Sequence, residues 1–388
     1  MNNSLALYRI IMDLIWQNGV RFHDLRILAT FVWAVVGLIL SQQIHLSRWS
    51  LYRVGPAKAA SKERQLARWL ANPRILPSRI YQSLIRAVLT DWKGETIYLA
   101  LDSSQLGGCF TVVRLALIYR GRALPVSWIV LASQSATVAL EDYQIILTEA
   151  AAVLPPLCQV ILLADRGFFD QNLLIKARDL GWSIRIRLKS SFWIYRVNKP
   201  RAKVGTLMPA RGQALFLHKV WITDRWFGPV HLALAHVQTP DGFEEWAILS
   251  DEPTSLKTLD EFGLRFDIEE NFLDDKSAGF QLEASQIRNA QALSRLGLIL
   301  ATATLYLVSS GVAVVAMGKR HCVDPHWNRG LSYFQIGWRW IKHALAHGQR
   351  LLPFFWFEPG PDPEPVYASK RQMVNPIALL SSLSLEVT

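Results

Sequence analysis

Apolar positions recur at helical spacing over residues 5–16, 23–40, 62–70 and 80–90, with breaks at Gly19, at 47–56 and at Asn72-Pro73. The period then changes to two. Residues 96–101 read as a strand ending at Asp102, 111–119 as a second, and 124–131 as a third after the Arg120-Gly121-Arg122 turn. A helix over 140–154, closed by Pro155-Pro156, leads to a fully apolar strand, 160–164, that ends at Asp165. A helix over 171–180 and a strand over 183–188 complete the unit. Three strands with hairpin spacing, then helix, strand, helix and strand, predict an α/β fold: a mixed five-stranded sheet flanked by helices. Residues 190–253 turn strand-like again, over 192–197, 214–222, 231–237 and 245–249, and read as a β-rich insertion. Three regions are expected: helical and basic over 1–92, α/β over 93–310, and helical over 311–388 with a loose Pro-rich tail from Pro359.

Two apolar runs raise the question of a membrane. Residues 27–40 are too short to span one, whereas 296–317 form 22 uncharged residues. That second run contains Gly297, Thr302, Thr304, Ser309, Ser310 and Gly311 between charged segments. It is read as a buried helix of an α/β core, with no membrane partner expected; an integral membrane protein is the alternative. The formal net charge of +11 points to a polyanion, nucleic acid before anionic membrane. Cys109, Cys158 and Cys322 are few, odd in number and far apart, which fits a reducing cytoplasm better than a disulfide framework. Residues 1–4 lack the basic start of a signal peptide. Arg48, Arg53, Lys58, Lys62, Arg64, Arg68, Arg74, Arg79 and Arg86 make the first region basic, with Trp49, Tyr52, Trp69 and Tyr81 interleaved. A helical DNA-binding module fits that pattern, and so does a solvated basic face on a bundle.

The chemistry concentrates after Ser255, a candidate N-cap. Leu256, Leu259, Phe262, Phe266 and Phe272 keep helical period there. On one continuous helix Phe262, Arg265, Glu269 and Lys276, at offsets of three, four and seven, project from one face. Alone, that face reads as a salt-bridged surface stripe. Asp102 and Asp165 change the reading, because each stands where a buried strand ends. Carboxylates there converge at an open sheet edge, and a third from a helix makes an all-oxygen pocket suited to Mg²⁺ or Mn²⁺. Two such ions serve phosphodiester chemistry. Glu270, Asp274 and Asp275 are neighbours, with Glu270 about 100° round the helix from Glu269. Arg166 is a structural partner for Asp165, and Trp182 and Trp246 are either core residues or platforms for an unstacked base.

Leu101-Asp102-Ser103-Ser104, Ala164-Asp165-Arg166-Gly167-Phe168 and the Phe262 segment together resemble the DDE transposases of bacterial insertion sequences, over roughly residues 60–345. The insertion-sequence-four group of that family carries a Tyr-x2-Arg-x3-Glu-x6-Lys helix, matched in spacing by Phe262, Arg265, Glu269 and Lys276, with Phe in place of Tyr. The resemblance implies a ribonuclease-H-like core and a β-rich insertion before the Glu. It implies Asp102, Asp165 and Glu269 as catalytic, metal-binding residues for Mg²⁺ or Mn²⁺, two ions in all. Arg265, Lys276 and Phe262 would be the DNA contacts, Phe262 without the family's hydroxyl. The implied activity is cut-and-paste DNA transposition by an endonuclease and strand transferase. Its partners would be double-stranded DNA at terminal inverted repeats, target DNA and a second copy of the chain, in the bacterial cytoplasm at the nucleoid. A decayed copy that binds transposon ends without cutting is the alternative.

Overall fold

The structure is a computed structural model and describes residues 3–133, 140–224, 226–239, 242–276, 279–366 and 384–387. Five helices come first: α1 (Asn3–Gln17), α2 (Leu25–Ser41), α3 (Leu46–Ser50), α4 (Ala59–Ala71) and α5 (Pro77–Val88). Asp24 caps α2 by accepting from the Arg26 amide, and Pro77 opens α5 where no amide hydrogen is needed. Next, β1 (Thr96–Leu106), β2 (Phe110–Tyr119) and β3 (Arg122–Leu131) form consecutive antiparallel hairpins. Arg120 and Gly121, at φ 49° and 77°, make the two-residue turn whose twist suits a hairpin. Then follow α6 (Leu140–Ala151), β4 (Gln159–Ala164), α7 (Gln171–Asp179) and β5 (Ser183–Arg187), with β4 parallel to β1 and to β5.

The α/β alternation is thus present, and two expectations need correction. β1 does not end at Asp102, because pairing with β2 carries it to Leu106. Nor does the sheet stop at five strands. β6 (Trp193–Arg196), β7 (Lys199–Lys203), β8 (Gln213–Ile222), β9 (Phe227–Thr239) and β10 (Gly242–Ser250) continue it, in the order β3-β2-β1-β4-β5-β10-β9-β8-β6-β7. β11 (Ser384–Val387) pairs with β8. The stretch read as an insertion extends the same sheet because β10 satisfies the backbone groups of β5, through Leu249 opposite Ile186. Of the tail expected to be loose, residues 367–383 and 388 lie outside the described residues.

Both faces of the β1–β4 region are covered, and side chains alternate between them. Ala100, Val112, Ala116, Ile161 and Leu163 pack under Ile268 and Phe272 of α9 (Asp267–Lys276). Leu99, Leu101, Val113, Leu115 and Leu162 face the main core, shared with α2, α10 (Ala290–Ala316) and α11 (Tyr333–Ala346). α10 is long and apolar enough to cross a bilayer, yet 94% of its most apolar window is buried inside the protein. Asn289 caps it, and Thr302 returns its hydroxyl to the Leu298 carbonyl. The Arg295 guanidinium donates to the carbonyls of Leu70 (2.8 Å) and Ile75 (3.1 Å), tying α10 to the C-terminal end of α4.

Candidate active site

Leu101 of β1 is the last residue in register with β4, opposite Ala164. The next residue of each strand is an aspartate, so Asp102 and Asp165 leave the parallel ladder side by side. By alternation Asp102 lies on the face of Ala100, and Asp165 on that of Ile161 and Leu163, the face under α9. Ile186 of β5 is also opposite Ala164. Arg187 therefore follows beside Asp165, with its guanidinium 3.9 Å from Asp165 Oδ1. On the other flank Arg114 of β2 is paired with Asp102. A row of Arg114, Asp102, Asp165 and Arg187 crosses four neighbouring strands.

Glu269 reaches this row through Arg265. The chain expected as one helix is broken into α8 (Leu256–Gly263), a 3-10 turn (Leu264–Phe266) and α9. Gly263 at the junction has low helix propensity, and the tighter winding of the 3-10 turn resets the phase between the two helices. The four signature residues therefore do not share one straight helix face, which corrects that expectation. Arg265 donates to Glu269 Oε1 at 2.7 Å and to Asp102 Oδ2 at 3.3 Å, with its side chain only 5% exposed. Its guanidinium carbon lies 4.5 Å from the Phe266 ring centre and 5.8 Å from that of Phe262. Phe262 itself is fully buried, edge-on to Trp246 at 5.1 Å and packed with Ala214 and Phe216. The ring therefore presents no surface to solvent in this structure, where the sequence pattern led us to expect a DNA contact. Lys276, two turns beyond Glu269, stands 3.7 Å from Glu283 and keeps part of its side chain in solvent.

Burial pushes the Asp102 carboxyl up to about 6, against the pull of Arg265 and the Ser103 amide; Glu269 and Asp165 add to the rise. Such a group takes up positive charge readily. Among the described residues no group of three or more His, Cys, Asp or Glu is gathered closely enough to hold a metal ion, and Arg265 engages both Asp102 and Glu269. The donor set nonetheless fits a hard divalent cation: it is all carboxylate, and Asp165 Oδ1 is buried without a hydrogen-bond partner.

Sequence reasoning missed the supporting cations. Arg187, not Arg166, is the neighbour of Asp165. Arg114 is buried and joined to Asp275 Oδ2 and Asn271 Oδ1 of α9, both at 2.6 Å. Arg122 pairs with Glu270 (3.2 Å) and Asp274 (3.1 Å). Alternation of Arg185 and Arg187 along β5 was the available signal. Trp182 and Trp246 are buried core residues, as are Trp49, Trp69 and Tyr81, whereas in the helical region Tyr52 is half-buried and Trp16 is exposed.

No family model and no curated protein matches the chain. Among solved structures the chain is similar to a cryo-EM structure of a piggyBac transposase synaptic complex with hairpin DNA, at 12% identity and a TM-score of 0.45, covering 89% of this chain and 80% of that one.

Proposed function

We propose that the chain is a DDE-type DNA transposase with a ribonuclease-H-like catalytic core, of the insertion-sequence-four kind. The observation that carries the reading is the register at Leu101 and Ala164, which sets Asp102 and Asp165 side by side with Glu269 linked to them through Arg265. The strand order β3-β2-β1-β4-β5, with only β2 antiparallel to its two neighbours, supports the ribonuclease-H-like core.

In this reading Asp102, Asp165 and Glu269 would hold Mg²⁺ or Mn²⁺. When bound, such an ion would supply Lewis acidity for hydrolysis or transfer at a phosphodiester. The chain's own residues do the rest. Arg265 bridges Asp102 and Glu269. It is then placed to donate to a phosphate of the cleaved strand, with Lys276 as a second grip two turns along α9. Phe262 and Phe266 keep the guanidinium in place from beneath. Buried strands and α9 hold the carboxylates rigidly, so catalysis rests on positioning and electrostatics. The substrates are the element's terminal inverted repeats and target DNA, the assembly a dimer on paired ends, and the location the bacterial cytoplasm.

The test is cleavage of DNA carrying the inverted repeats that flank the gene. Asp102→Asn, Asp165→Asn and Glu269→Gln should each lower Mg²⁺- or Mn²⁺-dependent cleavage by about 10³-fold or more, with duplex binding retained. Cleavage at the parental rate by any of the three removes the triad. Binding without cleavage by the parental chain replaces the reading with a DNA-end-binding protein.

A further inference from the structure

Residues 180–223 contain nine Lys and Arg and not one Asp or Glu. Arg185 and Arg187 are spent on internal ion pairs. Lys189, Lys199, Arg201, Lys203, Arg211 and Lys219 are exposed and have no ion pair among the described residues. Three of these alternate along β7, so Lys199, Arg201 and Lys203 stand on one face, about 6.6 Å apart from one to the next. Trp193 of β6 is paired with Lys203 on that hairpin. Its ring lies 4.6 Å from the Arg201 guanidinium carbon and 5.4 Å from Lys203 Nζ. The ring stiffens two long side chains that would otherwise lose entropy on binding. β7 ends the sheet's main path, with the row of carboxylates several strands away.

We infer that the β6–β7 hairpin is a second nucleic-acid contact, which grips the phosphate backbone of duplex DNA away from the carboxylate row. The reading of the ligand as DNA rests on the proposed function; the surface itself rests on its charge. Regular cations on a rigid strand match the regular charge of a duplex. A membrane surface would also ask for a cluster of apolar side chains to insert, and the exposed ones at the hairpin are Val197 in the turn and Trp226 against Tyr195, set among cations. The competing account is protection of a sheet edge, for which Lys and Pro are the usual residues. Charge reversal separates the two, because Glu guards an edge as well as Lys does and repels phosphate.

The experiment measures binding of the full chain to a labelled duplex in EDTA, over a range of salt. Lys199→Glu/Arg201→Glu/Lys203→Glu should weaken binding by about tenfold or more at low salt and make the slope of log K against log salt shallower by about two to three units. Trp193→Ala should give a smaller loss in the same direction. Asp165→Asn, with cleavage excluded by EDTA, should bind as the parent does. Lys199→Gln/Arg201→Gln/Lys203→Gln, with far-ultraviolet circular dichroism of each variant, keeps a misfolded charge reversal from deciding the matter. Parental affinity and slope in the folded Glu or Gln variant overturn the hairpin assignment, whether or not aggregation changes. So does loss of binding to anionic phospholipid vesicles with duplex binding intact. A parental chain that binds no duplex instead overturns the DNA reading of the whole protein.

Discussion

Phe262 has no exposed surface, and Ala214, Phe216 and Trp246 pack beside its ring. The 3-10 turn after Gly263 turns Phe262 into the core, where its ring meets Trp246 and lies under Arg265. Restoring the hydroxyl by Phe262→Tyr would therefore bury a donor among apolar neighbours. The expected result is a loss of about 1–3 kcal/mol in urea unfolding, with no tighter hold on DNA. Unchanged stability together with tighter duplex binding would mean that the position reaches phosphate after all. Asp102 and Asp165 stand out in the chain because each carboxylate follows a short apolar run, and Glu269 because of its spacing from Arg265 and Lys276. Arg114 and Arg187 were not, because which residue lies opposite Asp102 or beside Asp165 depends on pairing between strands distant in sequence.

At the scale of elements, α9 is held on the sheet by charge as well as by Ile268 and Phe272. Arg114 reaches Asn271 and Asp275, and Arg122 reaches Glu270 and Asp274, so two arginines of the β2–β3 hairpin fix the helix that carries Glu269. Burial pushes the Asp274 carboxyl up to about 7, partly offset by Arg122 and reinforced by Asp275 and Glu270. An aspartate raised above its unfolded value binds more protons folded than unfolded between pH 4 and 7. The unfolding free energy then falls as pH rises across that window, is at its best below it and carries the full cost above it. Asp274→Asn removes this titration. Its stability relative to the parent should improve from pH 5 to pH 8, read by urea unfolding at a series of pH values. Parallel curves for parent and variant would show that Asp274 does not titrate there. The acidic run 267–275 hid this arrangement, since in sequence it resembles a solvated helix face.

At the scale of the molecule, the site depends on a core that sequence reading described only in outline. The apolar run 296–317 was legible as a buried helix, but not what it packs against. α10 and α11 cross where each has a glycine: a Cβ on Gly337 would overlap the Leu307 carbonyl oxygen, and one on Gly311 the Tyr333 carbonyl oxygen. Close approach of the two backbones places Phe334 and Trp338 of α11 against Phe280, at 5.5 and 5.1 Å between ring centres. The Phe280 amide in turn donates to the Asp274 carbonyl near the end of α9. A continuous chain of packing therefore runs from the α10–α11 crossing to the helix of Glu269 and Lys276. Gly337→Ala forces backbone from backbone, which no rotamer relieves, and should cost about 3 kcal/mol or more, seen as a large drop in the thermal midpoint. Gly297→Ala, on the same helix α10, meets the indole of Trp128 instead. A side chain can shift, so that variant should lose clearly less. Equal losses in the two would show that the crossing is not the tight point of the core, and would cut the link from α11 to the carboxylates.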